Sequence, residues 1–331
     1  RQMCIRDRLN MSDTLFRMAG ERQDERMQAV AIATQLDYYY FQGTNEDSVI
    51  HYTNKVKEFA KATHQPKYYY FAWANRLITY YLKTSRTNIA LYEVQNMLKE
   101  AQEEDDKTGL SRCYNIMSQI YTIKRFDSMA FEWRLKEIEL TEKYKIENYN
   151  ISQTYAQIAN YYINQKKQKE ALAAVEKAIA TANSSTQQIS AKLEFVNYYS
   201  KFGDFQAAEK LLKECQAAFE QDKRLESIKK RLYNIECLYY QQTKQYQKAL
   251  EAAKMQEKEE RRLSESILSS IHYRTQGEIY QKMGNMNLAV KYLQMYINTD
   301  DSLKIANEQV SSSEFATLLN CLLYTSDAAD D

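Results

Sequence analysis

Apolar residues recur along the chain at intervals of three and four, which is the spacing of one face of an α-helix. From about residue 30 to residue 300 the helical segments fall into a unit of roughly 40 residues, repeated about seven times. In the clearest units a first helix closes with a Tyr, a polar turn follows, and a second helix opens with a small Ala. The pattern therefore predicts a series of antiparallel helix pairs.

The repeat is carried by a Tyr near the end of each first helix and by small residues in both helices. These positions are Tyr81 and Ala90, Tyr121 and Ala130, Ala159 with Tyr162 and Ala171, Tyr199 with Gly203 and Ala208, Tyr240 and Ala249, and Gly277 with Tyr280, Gly284 and Ala289. A small residue lets the paired helices approach closely, while the Tyr rings cover the gap. One pair cannot bury both of its faces, so neighbouring pairs must stack. We therefore expect an all-α fold, a right-handed α-solenoid of about seven helical hairpins.

Composition agrees with a helical fold. The chain of 331 residues contains one proline and six glycines, and no alternating apolar and polar stretch predicts a strand. The net charge is +1 with both signs interspersed, so we expect no nucleic-acid partner for this region. No apolar run reaches the ~18 residues that a membrane span needs, so we expect no membrane contact within it.

Few residues could carry metal or redox chemistry. The internal cysteines are Cys113, Cys215 and Cys237, and the histidines are His51, His64 and His272. The cysteines lie far apart on predicted helix faces, so buried free thiols are expected, and the histidines are expected to be solvated or to cap helices. No phosphate-binding loop, dinucleotide fingerprint or nucleophile elbow occurs. We predict a chain that is not an enzyme, with no catalytic residue, no metal and no cofactor.

These units resemble tetratricopeptide repeats (TPRs), whose pattern has a small residue and a Tyr in helix A and Ala positions in helix B. The resemblance covers most of residues 30–300 and is best from Tyr155 onward. The interval is longer than the usual TPR length of about 34, and the Pro that often closes a unit is missing. The resemblance implies a protein or peptide ligand, held in a concave groove that the A helices line.

The resemblance also gives candidate groove residues, taken one position before and one after the packing stripe of each A helix. The candidates are Gln153, Asn160, Asn197, Arg231, Asn234, Arg274 and Glu278. Amide and guanidinium groups suit hydrogen bonds to an extended backbone or a carboxylate. The family's carboxylate clamp is not expected, because Ala156 and Glu194 replace its Lys and its second Asn.

Two aromatic clusters leave a choice open. Tyr38–Phe41 and Tyr68–Phe71 place consecutive rings on different sides of a helix, so they cannot all enter one core. Packing between units is one interpretation, and a groove wall that anchors a peptide is the other.

The segment Tyr296–Lys304 resembles the exit from the repeat array in membrane-bound bacterial sensor histidine kinases, and the two aromatic clusters resemble their first units. The resemblance implies a sensory input region on the extracytoplasmic side of the inner membrane, in two-component signal transduction. A soluble TPR scaffold or adaptor, which would be cytoplasmic, and the repeat half of a transcription regulator are the alternatives. The sequence does not predict the ligand or the oligomeric state.

Both ends resemble translated sequencing-adapter sequence. We therefore expect residues 1–8 and 321–331 to be non-native tails, residues 9–300 to be the α-solenoid, and residues 301–320 to be a helix leading towards a downstream region. On this interpretation the natural protein extends beyond both ends.

Overall fold

A computed structural model describes the backbone of residues 2–43, 45–262 and 271–327. The chain forms two compact units. Unit 1 comprises Arg1–Leu140 with Asn307–Asp331, and unit 2 comprises Thr141–Ala306. The side chains of the two expected tails, 1–8 and 321–331, lie outside the described residues.

Every regular element in the described part of the chain is helical. The elements up to residue 144 are α1 (Gln2–Glu21), α2 (Glu25–Gln42), α3 (Glu46–Ala62), α4 (Pro66–Ala72), a π-helical segment (Trp73–Ile78), α5 (Thr79–Lys83), α6 (Thr87–Glu103), α7 (Lys107–Ile123) and α8 (Asp127–Tyr144). The later elements are α9 (Ile151–Asn164), α10 (Gln168–Ala180), α11 (Ser185–Phe202), α12 (Phe205–Gln221), a 3₁₀ helix (Lys223–Ile228), α13 (Lys229–Gln242), α14 (Tyr246–Arg262), α15 (Ile271–Lys282) and α16 (Met286–Asp327). The predicted all-α fold class is confirmed.

The repeat Tyr of each hairpin ends the first helix through its own carbonyl group. In each hairpin the Tyr carbonyl oxygen accepts a hydrogen bond of 2.8 to 3.0 Å from the backbone N–H group just before the second helix. The six residues are Tyr81, Tyr121, Tyr162, Tyr199, Tyr240 and Tyr280. The residue before that N–H has a positive φ in every case: Ser85, Arg125, Lys166, Gly203, Lys244 and Gly284. This is the Schellman arrangement, in which a left-handed residue satisfies the last carbonyls of a helix. It repeats one turn geometry through both units.

The small residues lie where the helices approach. Ala90, Ala130, Ala171, Ala208, Ala249 and Ala289 are all buried, and so is Ala159. In unit 2, Ala208 packs in a core with Leu193, Val196 and Leu232. A Cβ atom on Gly277 would lie 2.9 Å from Cγ of Leu293, so this position needs glycine. The repeat Tyr rings are buried at Tyr81 and Tyr280 and half-buried at the other four positions.

One boundary differs from the sequence-based expectation. The segment 301–320 is not a separate helix, because α16 runs without a break from Met286 to Asp327. The absence of proline or glycine after Gly284 gives this helix no residue at which to stop. The helices also differ in length: α10 has 13 residues, whereas α6 and α12 have 17 each.

Candidate functional site

The first helices of three successive hairpins in unit 2 line one cavity of about 450 Å³. Its walls come from α9, α11 and α13, with one side from the 3₁₀ helix and one residue from α14. The lining residues are Ser152, Gln153, Ala156, Thr186, Gln187, Ser190, Ala191, Ser227, Ile228, Lys230, Arg231, Asn234 and Gln256. We call this cavity the unit 2 groove. Hydroxyl and amide groups dominate its lining, so it suits a ligand that offers hydrogen-bonding atoms.

A buried ion pair holds Arg231 at the groove wall. Its Nη2 atom donates to Oε1 of Glu194, a carboxylate that is 2 % exposed. Asn197, also buried, donates to the other carboxylate oxygen at 3.4 Å. The Nε–H group of Arg231 is buried and has no hydrogen-bond partner among the described residues. A buried donor without an acceptor is costly. Because this nitrogen is buried, it is closed to a ligand in the groove as well as to water.

A second buried carboxylate fixes Lys230, the neighbouring cation. The ammonium group of Lys230 lies 2.7 Å from Oε1 of Glu260, and His272 contacts the other oxygen of the same carboxylate. Burial alone would raise the pKa of Glu260, but the hydrogen bonds from His272 and Lys230 outweigh it and lower that pKa. Glu260 is therefore ionised at neutral pH. The expectation that His272 is solvated or capping is wrong, because its ring is buried against this acid.

Two of the predicted groove amides face the cavity with their hydrogen-bonding groups unused. Gln153 on α9 and Asn234 on α13 both line it, and neither side chain bonds to another described residue. Gln187, by contrast, already donates to the carbonyl oxygen of Tyr149 and accepts from the N–H group of Asn183. Gln153 and Asn234 are therefore the amides that a ligand could engage without breaking an internal bond.

The other predicted groove residues do not line this cavity. Asn160 accepts from Asn164 along α9, and Asn197 turns inward to Glu194. Arg274 and Glu278 form an exposed ion pair of 2.8 Å along α15. The cavity thus brings together Gln153, Arg231 and Asn234 of the seven candidates.

Several lining residues have no counterpart among the sequence-based candidates. Lys230 lies beside Arg231 and would have been included if the expected stripe had been one residue wider. Ser227 and Ile228 belong to the 3₁₀ helix, which has too few residues to show a period. Gln256 comes from α14, a second helix, which the family pattern does not place at the groove.

Comparison with known proteins gives the fold. No protein-family model matches the chain, and no curated protein matches it. Among solved structures, NprR in complex with its cognate peptide NprX is similar at 13% identity and a TM-score of 0.58, over 90% of this chain and 85% of that one. The apo form of RapI is similar at 16% identity and a TM-score of 0.58, over 81% of this chain and 98% of RapI. A Rap protein complexed with competence and sporulation factor is similar at 15% identity and a TM-score of 0.51, over 99% of each chain.

The fold is TPR-like. At these identities the likeness concerns the fold.

In unit 1 the aromatic clusters mostly pack against their own unit. Tyr40 and Tyr70 are buried, and Tyr39 stacks on Tyr52 with ring centroids 5.0 Å apart. Tyr69 donates to Oε1 of Glu100 at 2.7 Å. Phe41 is the exposed member of the first cluster, at 72 %. Packing therefore accounts for the inner rings of the two clusters, while Tyr38 and Phe41 line a cavity of unit 1.

The internal cysteines are free thiols buried in the two units. Burial raises the pKa of Cys113 to about 12 and that of Cys215 to about 11, and it also raises the pKa of Cys237. The neutral thiol therefore dominates at physiological pH. Within the described residues no cluster of His, Cys, Asp and Glu could hold a metal ion. No described helix is long and apolar enough to cross a membrane.

Proposed function

We propose that the chain is a protein-interaction module whose unit 2 groove binds an extended peptide segment. The observation that carries the proposal is the unused hydrogen-bonding capacity of the groove, which the side-chain amides of Gln153 and Asn234 supply. An extended peptide offers a carbonyl and an N–H group at every residue, and a side-chain amide can pair with both. The cavity volume falls within the roughly 300–1,000 Å³ of ligand pockets.

The electrostatics of the groove favour a ligand without a large net charge. Both cations at its wall, Arg231 and Lys230, are already paired with buried acids. Their remaining N–H groups can bond a carbonyl or a single carboxylate. NprR binds its cognate peptide NprX, and the Rap protein binds competence and sporulation factor, which supports a peptide ligand for a chain of the same fold.

The proposal is tested by affinity selection from pooled synthetic hexapeptides, followed by calorimetric titration of an enriched peptide. Asn234→Ala should weaken binding about fivefold, because one lost hydrogen bond costs about 1 kcal/mol. Gln188→Ala, an exposed amide of α11 outside the cavity, is the matched control and should bind as the unmodified chain does. Arg231→Lys is preferable to Arg231→Ala, since it leaves a cation beside the buried Glu194. Absence of an enriched peptide, or normal binding by Asn234→Ala, would contradict the proposal.

The finer hypothesis, a sensory input region of a histidine kinase, rests on the sequence resemblance alone and stays a prediction. A scaffold or adaptor would use the same groove, and so would the repeat half of a transcription regulator. An apolar run of about 20 residues following this region would favour the sensor hypothesis, and a helix-turn-helix would favour the transcription regulator.

A further inference from the structure

An apolar groove runs between the first two helices of unit 1. Its volume of about 1130 Å³ exceeds the roughly 300–1,000 Å³ of small-molecule pockets. Each helix contributes a stripe at the three-and-four spacing of one helical face: Met11, Leu15 and Met18 from α1, and Thr34, Tyr38 and Phe41 from α2. Met11 is 70 % exposed, Met18 45 % and Phe41 72 %. We call this surface the α1–α2 groove.

The end of α1 has the structure that closes the second helix of later hairpins. The carbonyl oxygen of Ala19 accepts from the N–H group of Asp24 at 2.8 Å, and Gln23 has a positive φ. The same turn closes α3, α6 and α8, where the accepting carbonyls belong to Ala60, Ala101 and Thr141. Because α3 packs against α2 and α6 against α5, a second helix has a face that a first helix covers. By its ending, α1 is such a second helix.

The first helices of neighbouring hairpins contact each other through recurring positions. Arg76, five residues before the repeat Tyr of its hairpin, donates to Asp37 on α2. Lys282, two residues after the repeat Tyr of its own hairpin, donates to Gln241 on α13 at 3.1 Å. The positions five before and two after the repeat Tyr therefore face the first helix of the preceding hairpin.

In α2 these two positions lie in the α1–α2 groove. The repeat Tyr of α2 is Tyr39, since Gly43 follows it by four residues and has a positive φ, as in the other hairpins. Thr34 lies five residues before Tyr39 and Phe41 two residues after it, and both line the groove. The interface between successive first helices thus continues onto this surface. A first helix placed there would cover α1 and α2 together.

The chemistry of the groove favours an apolar occupant. Asp37, the charged residue among its described lining residues, is already paired with Arg76. Asn10, Thr14 and Gln42 supply neutral polar groups. A terminal repeat needs a polar outer face to stay soluble, whereas this face carries Met and Phe side chains, and Met adapts well to apolar partners. The groove therefore suits an amphipathic helix whose apolar residues follow the three-and-four spacing.

We propose that the α1–α2 groove is a docking site for one amphipathic α-helix of a partner protein, which packs on α1 and α2 as a first helix packs in the other hairpins. The docking face of this helix is apolar and uncharged. Met11, Met18 and Phe41 are its main contacts, because they are the most exposed apolar residues of the groove. The site lies in unit 1 and does not depend on the unit 2 groove.

A synthetic peptide of residues 150–165 is the probe. It contains α9, a first helix whose buried face includes Tyr155, Ala159 and Ile163. Asn160→Glu with Asn164→Lys in the peptide adds an i, i+4 ion pair that favours the isolated helix. The fluorescently labelled peptide should bind the full chain saturably in an anisotropy titration. A control peptide that also carries Tyr155→Gln and Ile163→Gln should not bind.

Matched variants of the chain locate the peptide. Phe41→Gln should weaken binding at least roughly tenfold, because the peptide loses a large apolar contact. Phe126→Gln removes an exposed Phe of unit 1 outside the groove and should leave binding unchanged. In mass spectrometry after mild oxidation, the peptide should protect Met11 and Met18 from conversion to the sulfoxide. Met129, which is exposed on α8, should be oxidised equally with and without peptide.

Met18→Gln should weaken binding as well, and circular dichroism of each variant checks that the helices are retained. Absence of saturable binding would overturn the proposal. Binding that Phe41→Gln and Met18→Gln leave unchanged would also overturn it, since the peptide would then lie elsewhere. If the chain alone dimerises in sedimentation equilibrium and Phe41→Gln dissociates the dimer, the occupant is a second copy and not a partner helix.

Discussion

At the scale of single residues, the groove depends on two acids that lie behind it. Glu194 holds Arg231, and Glu260 holds Lys230 together with His272. Each acid is buried and each cation reaches the groove wall. The buried acids therefore fix the positions of both cations from beneath the surface that a ligand would contact. An ion pair of this kind contributes modest net stability, but removal of one partner is costly.

The pKa of Glu260 gives a prediction about acid stability. The folded-state pKa of Glu260 is lowered, so its ionised carboxylate stabilises the folded state. This stabilisation is present at pH values above the ordinary range of Glu pKa values, and it is lost as the pH falls through the folded-state pKa. Glu260→Gln should therefore lower the free energy of unfolding by about 2 kcal/mol at pH 7, and the difference should shrink towards pH 3. Urea unfolding at the two pH values measures this.

Glu209→Gln is the control for that experiment. Glu209 pairs with Lys213 on the exposed face of α12, where solvent screens the interaction. It should change the unfolding free energy little at either pH. If Glu260→Gln lowers the free energy of unfolding equally at pH 7 and pH 3, the side chain stabilises the fold through its shape and not through its charge.

The sequence predicted the polar residues that face the groove better than the charged residues behind it. Gln153, Arg231 and Asn234 follow from their place beside the packing stripe of an A helix. Glu260 and His272 do not, because their contact joins α14 to α15 and depends on how two helices pack. Asn197 has the expected helical position but turns to Glu194, a side-chain choice that no period reveals.

At the scale of elements, the period of the apolar residues and the Tyr-to-Ala spacing were enough to locate the hairpins. The pairs α9–α10, α11–α12, α13–α14 and α15–α16 all have the repeat Tyr at the end of the first helix and the small Ala in the second. The 3₁₀ helix and the π-helical segment were not predicted, since both interrupt a helical period without a proline or glycine to mark them. Helix ends were the least predictable, as α16 shows.

The turn geometry predicts the effect of a single glycine. Gly203 has a φ of 91° and a Cβ atom there would meet nothing within 4 Å, so backbone conformation alone decides the cost of a side chain. Gly203→Ala should lower the free energy of unfolding by about 1 kcal/mol, since a non-glycine residue is strained in the left-handed region. Thermal or urea unfolding measures the change.

Gln206→Ala serves as the comparison, because Gln206 is exposed on the first turn of α12 and has an ordinary helical backbone. It should be close to neutral. Equal stability of Gly203→Ala and the unmodified chain would mean that the turn relaxes to another conformation.

At the scale of the whole molecule, the chain has two compact units and each contains stacked hairpins. In a repeat array, stability is approximately a sum of hairpin terms and of terms for the interfaces between neighbours. Such a chain is not expected to unfold in one concerted step. We predict a calorimetric unfolding enthalpy larger than the van't Hoff enthalpy. Peptide-resolved hydrogen exchange should also give different opening free energies for residues 9–140 and 141–306. A single transition with equal enthalpies would contradict this.

The turn that repeats through the chain also bears on how such a protein changes over time. The carbonyl of each repeat Tyr meets a main-chain N–H group, and the residue in the left-handed region is Ser, Arg, Lys or Gly from one hairpin to the next. Because the bond that sets the register uses no side-chain atom, mutation can replace the polar residues of a turn without moving the helices that follow. Homologues of this chain can therefore acquire different surface residues, and with them new partners, while the small buried Ala positions stay the same. Their common origin would then remain recognisable in the backbone structure after the sequences have diverged.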